Sequence, residues 1–193
     1  YTEKLLDILD RYNVKATFFV TNGKPDYQNL IAQEAQRGHT VAIHSASHDY
    51  AKIYQSVDAY FADFDEMNSI ITAQTGKAAD LVRFPGGSSN TISKKYCYGI
   101  MSQLVCAVEE RGFRYCDWNV SSGDAGGTTS TSQVVANVIA GIKGNNVSVV
   151  LQHDIKNFSV DAVEQIIQWG LSEGYTFLPI TSTTPMSHHG VNN

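Results

Sequence analysis

No apolar run in this 193-residue sequence approaches the roughly 20 residues that a helix needs to cross a bilayer, so no helical span lies within these residues. No basic run occurs either. The formal net charge of -5, from 14 Lys and Arg against 19 Asp and Glu, argues against nucleic acid, whose phosphates require a cationic face. Cysteine is scarce: Cys97, Cys106 and Cys116 are an odd number without metal-ligand spacing, so at least one is free or paired between chains. Cys106, inside the apolar stretch 101–108, is expected to be a buried thiol, and a Cys97–Cys116 bridge stays open. No signal-peptide pattern is present, yet the chain opens inside an amphipathic pattern, so a segment upstream of it is expected. At 42% hydrophobic and 17% charged, the composition is that of a globular chain of single-domain size, able to bury a sizeable core.

Helical and strand patterns alternate. Helices are expected over about Thr2–Asn13 with Thr2 as cap, Asp26–Arg37 ending at Gly38, Ser56–Thr75 ending at Gly76, Ile92–Arg111 ending at Gly112, then 133–143 and 160–173. Strands are expected at Ala16–Val20, Thr40–Ile43, Leu81–Phe84, Phe113–Cys116, Val147–Gln152 and Tyr175–Pro179. About six strands joined through helices predict an α/β fold with a parallel sheet. The expected architecture is a distorted (β/α) barrel spanning 1–180, followed by a polar surface tail, 181–193, that carries His188 and His189. A strand–helix barrel begins with a strand. This chain begins with a helix, so either the fold is open there or a first strand is expected ahead of Tyr1.

Chemistry-bearing residues gather where strands end. His44 and His48 follow the second strand, four residues apart. Arg83 ends the third, ahead of Pro85-Gly86-Gly87. Trp118 and Asp124 follow the fourth, and His153 with Asp154 follows the fifth. In a parallel sheet these positions share one rim, where α/β enzymes collect their chemistry. Two histidines can bind a divalent metal, although a working zinc site normally has three protein ligands and one open position. Each residue also has an ordinary reading: Arg83 as an ion pair, Trp118 as core, Asp124 as an Asx-turn.

The segments His44-Ser-Ala-Ser-His48, Arg83-Phe-Pro-Gly-Gly87, Trp118-Asn-Val-Ser-Ser-Gly-Asp124 and Leu151-Gln-His-Asp154 together resemble the polysaccharide deacetylases of carbohydrate esterase family 4, the NodB-homology domain. The resemblance is collinear from Lys15 to about Pro179. It implies that His44 and His48 bind a divalent metal, usually zinc, and that Arg83 orients the catalytic base. It further implies that the Gly86 N–H stabilises the oxyanion, that His153 is the general acid with Asp124 tuning it, and that Leu151 lines the acetyl pocket. Trp118 is a candidate sugar platform. The implied activity is metal-dependent removal of N-acetyl groups from N-acetylglucosamine in a cell-wall polymer, most directly peptidoglycan, outside the cytoplasm at the envelope.

Three departures stand out. The family's Thr-Phe-Asp-Asp segment, which carries the catalytic base and the third metal ligand, occurs nowhere in the sequence and is expected a few residues before Tyr1. Gly86 stands where the family often has Tyr, and Ala125 where it often has Trp. For these residues alone, weak metal affinity and little activity are expected. Chitin oligomers and acetylated xylan remain alternative substrates. A glycan-binding module without chemistry remains an alternative class, as does an unrelated zinc enzyme using Asp49 as third ligand. Oligomeric state is not legible.

Overall fold

The computed structural model describes residues 1–193. The chain folds as two compact units, each made of discontinuous segments: Thr17–Asp117 with Ile180–Asn193, and Tyr1–Ala16 with Trp118–Pro179.

The first unit holds a four-stranded parallel sheet in the order β1 (Thr17–Thr21), β2 (Thr40–Ser45), β3 (Leu81–Val82) and β4 (Arg114–Tyr115). β1 and β2 run in register from Thr17 opposite Thr40 to Val20 opposite Ile43, and the register then shifts so that Thr21 faces Ser45. Ile43 pairs with Val82, and Leu81 and Val82 pair with Arg114 and Tyr115. Ala42, Ile43, Leu81, Val82 and Phe84 are wholly buried, as expected of a parallel sheet covered on both faces.

Helix α2 (Asn29–Gln36), the short α3 (Tyr50–Ile53), the long α4 (Val57–Thr75) and α5 (Ile100–Glu110) complete this unit. The sequence predicts α4 almost to the residue. The Ser56 hydroxyl accepts the Ala59 N–H at its start, and Gly76, at φ 76°, takes the left-handed conformation that stops it. Tyr60, Phe64, Met67 and Ile71 form its buried stripe, and Phe64, Met67 and Ile71 each contribute about 1.5–3 kcal/mol by leaving water.

The expected helix over 92–111 is interrupted. A 3-10 turn spans Ile92–Lys95, and Gly99, at φ 76°, breaks the chain direction before α5 starts. Asn193 fills the break: its side-chain oxygen accepts the Gly99 N–H at 2.7 Å and its carbonyl accepts the Ser102 N–H at 2.8 Å. The tail is therefore tied into this unit by specific bonds. His188 is exposed, as expected, but stacks on Tyr115 with ring centroids 3.9 Å apart. The cysteine assignment also changes. α5 buries Ile100, Met101, Leu104 and Val108, which puts Cys106 on the opposite, exposed face; Cys116 is the buried thiol, and all three cysteines are free.

The second unit joins β5 (Val120–Ser121) and β6 (Val150–Leu151) in a parallel pair with helices α1 (Thr2–Arg11), α6 (Thr131–Lys143) and α7 (Asn157–Ser172). Val134, Val138 and Ile142 of α6 pack with Ala162 and Ile166 of α7 as its core. The strands thus pair in parallel throughout, as predicted, but in two hydrogen-bonded sheets and not one. The strand expected over 147–152 shortens to two residues because the Asn119 side chain takes ladder bonds, donating to the Val147 carbonyl and accepting the Val149 N–H. Residues 175–179 form no strand: Leu178 is 77% exposed, and Phe177 turns its ring onto α7 at Gly170. Thr2 does not cap α1; its hydroxyl donates to Asp154.

Gly141 sits inside α6 because β5 lies too close for a side chain: a Cβ there would come within 2.5 Å of a Val120 methyl. Gly141→Ala gains about 1 kcal/mol of helix propensity but overpacks this contact at a cost of about 1–3 kcal/mol. A net loss of stability is expected, read from the urea midpoint at unchanged slope.

Candidate active site

The histidine loop follows β2, which buries Ala42 and Ile43 and so delivers His44 at the strand end. His44 is half-buried and His48 exposed, with ring centroids 5.0 Å apart. The His44 Nδ1 lies 2.6 Å from the Arg83 carbonyl. A carbonyl can only accept, so Nδ1 carries the proton and Nε2 the lone pair, the arrangement that prepares an imidazole for a metal. His48 holds a left-handed backbone at φ 53°, uncommon for a residue with a side chain.

The loop between the two histidines is organised by Asp63 of α4, which sequence reasoning missed. Asp63 is 2% exposed; it accepts the Ser45 hydroxyl at 2.5 Å and the Ala46 and Ser47 N–H groups at 2.8 Å each. Burial works to raise its pKa, but these donors outweigh it and hold the carboxyl below its ordinary value. The legible signal was a carboxylate on the otherwise apolar stripe of α4.

The residues of this unit fit two positions of a divalent-metal site. No group of three or more His, Cys, Asp or Glu stands together in a metal-holding arrangement. Asp49, the alternative third ligand, instead accepts the Ala51 N–H at 2.9 Å and caps α3.

Arg83 is 7% exposed. Its Nε donates to the Cys116 carbonyl and Nη2 to the Asp117 carbonyl, both at 2.9 Å, and its guanidinium covers the Phe19 ring at 4.1 Å. Asp117, a second residue missed, is wholly buried and accepts the Ser88 N–H and hydroxyl and the His189 N–H. It thereby pins the chain after the Pro85-Gly86-Gly87 turn. Gly86 is exposed with φ 79°, and the turn's own hydrogen bond uses the Gly87 N–H. A Cβ at 86 would lie 2.8 Å from the Tyr50 hydroxyl and 3.0 Å from the Asn90 Cβ, so Tyr50 holds the space that a larger residue at 86 would need.

In the other unit, Asp124 and His153 meet. The Asp124 carboxylate, 2% exposed, lies 2.8 Å from the His153 Nδ1, and accepts the His153 N–H at 2.7 Å and the Ser159 hydroxyl at 2.7 Å. Burial again opposes ionisation, and the donors from His153 and Ser159 overcome it, holding the carboxyl at about 2. With Nδ1 committed to Asp124, Nε2 is the nitrogen that His153 presents. Asp124, Ala125, the glycines 126 and 127, Lys156 and Phe158 line an open cavity of about 490 Å³. Leu151 is a half-buried residue of β6, and Trp118 is half-buried ahead of β5.

Residues 1–98 match the polysaccharide deacetylase family. The crystal structure of the catalytic domain of peptidoglycan N-acetylglucosamine deacetylase from Eubacterium rectale superposes with a TM-score of 0.99 at 70% identity, over 100% of this chain and 88% of that one. The chain belongs to the polysaccharide deacetylase family.

Two further relatives match at lower identity. The polysaccharide deacetylase Bc1974 from Bacillus cereus gives a TM-score of 0.82 at 31% identity, over 100% of this chain and 90% of that one. A peptidoglycan-N-acetylglucosamine deacetylase of Bacillus cereus is 31% identical over 183 residues, 92% of this chain; the chain spans 63% of that relative's length.

Because the Asp124 carboxyl falls from 3.8 to about 2 on folding, its stabilisation is complete above the ordinary value and disappears as pH falls through about 2. Thermal melts of this protein are expected to weaken over that window. Asp124→Asn should flatten the acid dependence there and lower stability at neutral pH by about 1–3 kcal/mol.

Proposed function

We propose that this chain is a metal-dependent hydrolase that removes acetyl groups from N-acetylglucosamine residues of a cell-wall polysaccharide, with peptidoglycan as the first substrate and zinc as the metal. The observation that carries this reading is the Asp124–His153 pair, a buried carboxylate that accepts both the backbone N–H and the imidazole Nδ1–H of His153, in a family of deacetylases. Amide cleavage has to protonate a poor amine leaving group, and an imidazole held at Nδ1 can deliver that proton from Nε2. His44 and His48 would hold the metal, since imidazole nitrogens suit zinc, and when bound it would supply Lewis-acid polarisation of the acetyl carbonyl. The exposed Gly86 N–H donates to the oxygen on which charge develops. Leu151 receives the acetyl methyl, Trp118 carries the sugar face, and Arg83 orients the catalytic base. Such a substrate puts the protein outside the cytoplasm, at the envelope.

The test is acetate release by the full-length protein from peptidoglycan, chitin oligomers and acetylated xylan, with and without a chelator. Release from peptidoglycan, abolished by chelation and restored by zinc, is expected. His153→Ala should lower kcat by about 10²–10⁴, and His48→Ala should remove the zinc response. Greater release from xylan would make the protein an O-acetyl esterase. Glycan binding without release or bound metal would identify a binding module.

A further inference from the structure

Every residue between the two histidines donates to one carboxylate. Ser45 does so through its hydroxyl, Ala46 and Ser47 through their N–H groups, and both oxygens of Asp63 are engaged. The Ser45 oxygen in turn accepts the His48 N–H at 2.8 Å. The Lys52 ammonium stands 4.0 Å from Asp63 on the outer side. A carboxylate this deeply buried would be costly without such donors, so it dictates the path of the chain around it. That path carries His48 into its left-handed conformation and brings its ring back towards His44.

We propose that Asp63 is a positioning residue for a metal site: it holds the 44–48 loop in the one conformation in which His44 and His48 can coordinate the same ion. The proposal rests on the reading of these histidines as a ligand pair. It does not require the third ligand, the substrate or turnover. Three residues separate the two rings, and a loop that short released from Asp63 would let the His48 backbone relax to negative φ and turn its imidazole away. Supporting partners of metal ligands are typically worth 10- to 100-fold in affinity.

The probe is Cu²⁺ alone, which binds imidazole more tightly than other divalent first-row ions. The signal is the two-nitrogen superhyperfine pattern in the electron paramagnetic resonance spectrum that disappears in His48→Ala. In the unchanged protein this pattern is expected. In Asp63→Asn and Asp63→Ala, measured well below their melting temperatures, Cu²⁺ affinity should fall about 10- to 100-fold and the pattern should reduce to one nitrogen. A variant that melts earlier but keeps the two-nitrogen pattern at unchanged affinity assigns Asp63 a merely structural role and overturns the proposal. Should neither variant fold, Ser45→Ala, which removes the hydroxyl shared by Asp63 and the His48 N–H, should weaken the pattern in the same direction; an unaltered spectrum again overturns it. Absence of the pattern in the unchanged protein refutes the ligand pair itself. A normal copper response with no acetate release would sink the proposed activity and leave Asp63 in its role.

Discussion

Three buried aspartates, each needing donors in place of water, organise the loops of this chain that hold the candidate site residues. Asp63, Asp117 and Asp124 are 2%, 0% and 2% exposed. A carboxylate at such depth is tolerated only where N–H and O–H groups converge on it. Asp63 gathers the residues between His44 and His48, Asp117 gathers Ser88 and the His189 N–H, and Asp124 gathers His153 and Ser159. The loops take the shapes these acceptors demand. Two of the carboxylates, Asp63 and Asp124, are held below their ordinary pKa for this reason.

The same constraint separates scaffolding from reactivity. None of the three aspartates has to face solvent or substrate to matter; each spends its oxygens on backbone N–H groups and neighbouring side chains. His44 is prepared in a related way, by a carbonyl at the end of the neighbouring strand, so β2 and β3 jointly decide which of its nitrogens carries the lone pair. One departure from the family pattern, Gly86, follows the same logic of space. Gly86 is small because Tyr50 stands over it, and its left-handed φ keeps the exposed turn open.

Much of the fold was legible. α4 announces itself by Ser56, an apolar stripe and Gly76, all within one local pattern. β1 and β2 were readable as short branched and aromatic runs. The histidine pair, Arg83, Asp124 and His153 were readable as motifs at strand ends. What failed did so for long-range reasons. Residues 175–179 have strand-like composition but pair with no neighbour, and the helical pattern over 92–111 is broken where Gly99 meets Asn193, 94 residues away. Cys106 looked buried because its neighbours in sequence are apolar, whereas helical phase turns it outward.

Sequence alone determined the alternation of elements, their caps and stops, and the residue types that can bind a metal or move a proton, because those signals act within a few residues. Only the tertiary structure decided which tautomer His44 adopts, which carboxylate shapes the histidine loop, and that Asp124 meets both His153 and Ser159. Those outcomes depend on donors 16 to 18 residues from Asp63 and 29 to 35 from Asp124, which nothing but folding brings to the same acceptor.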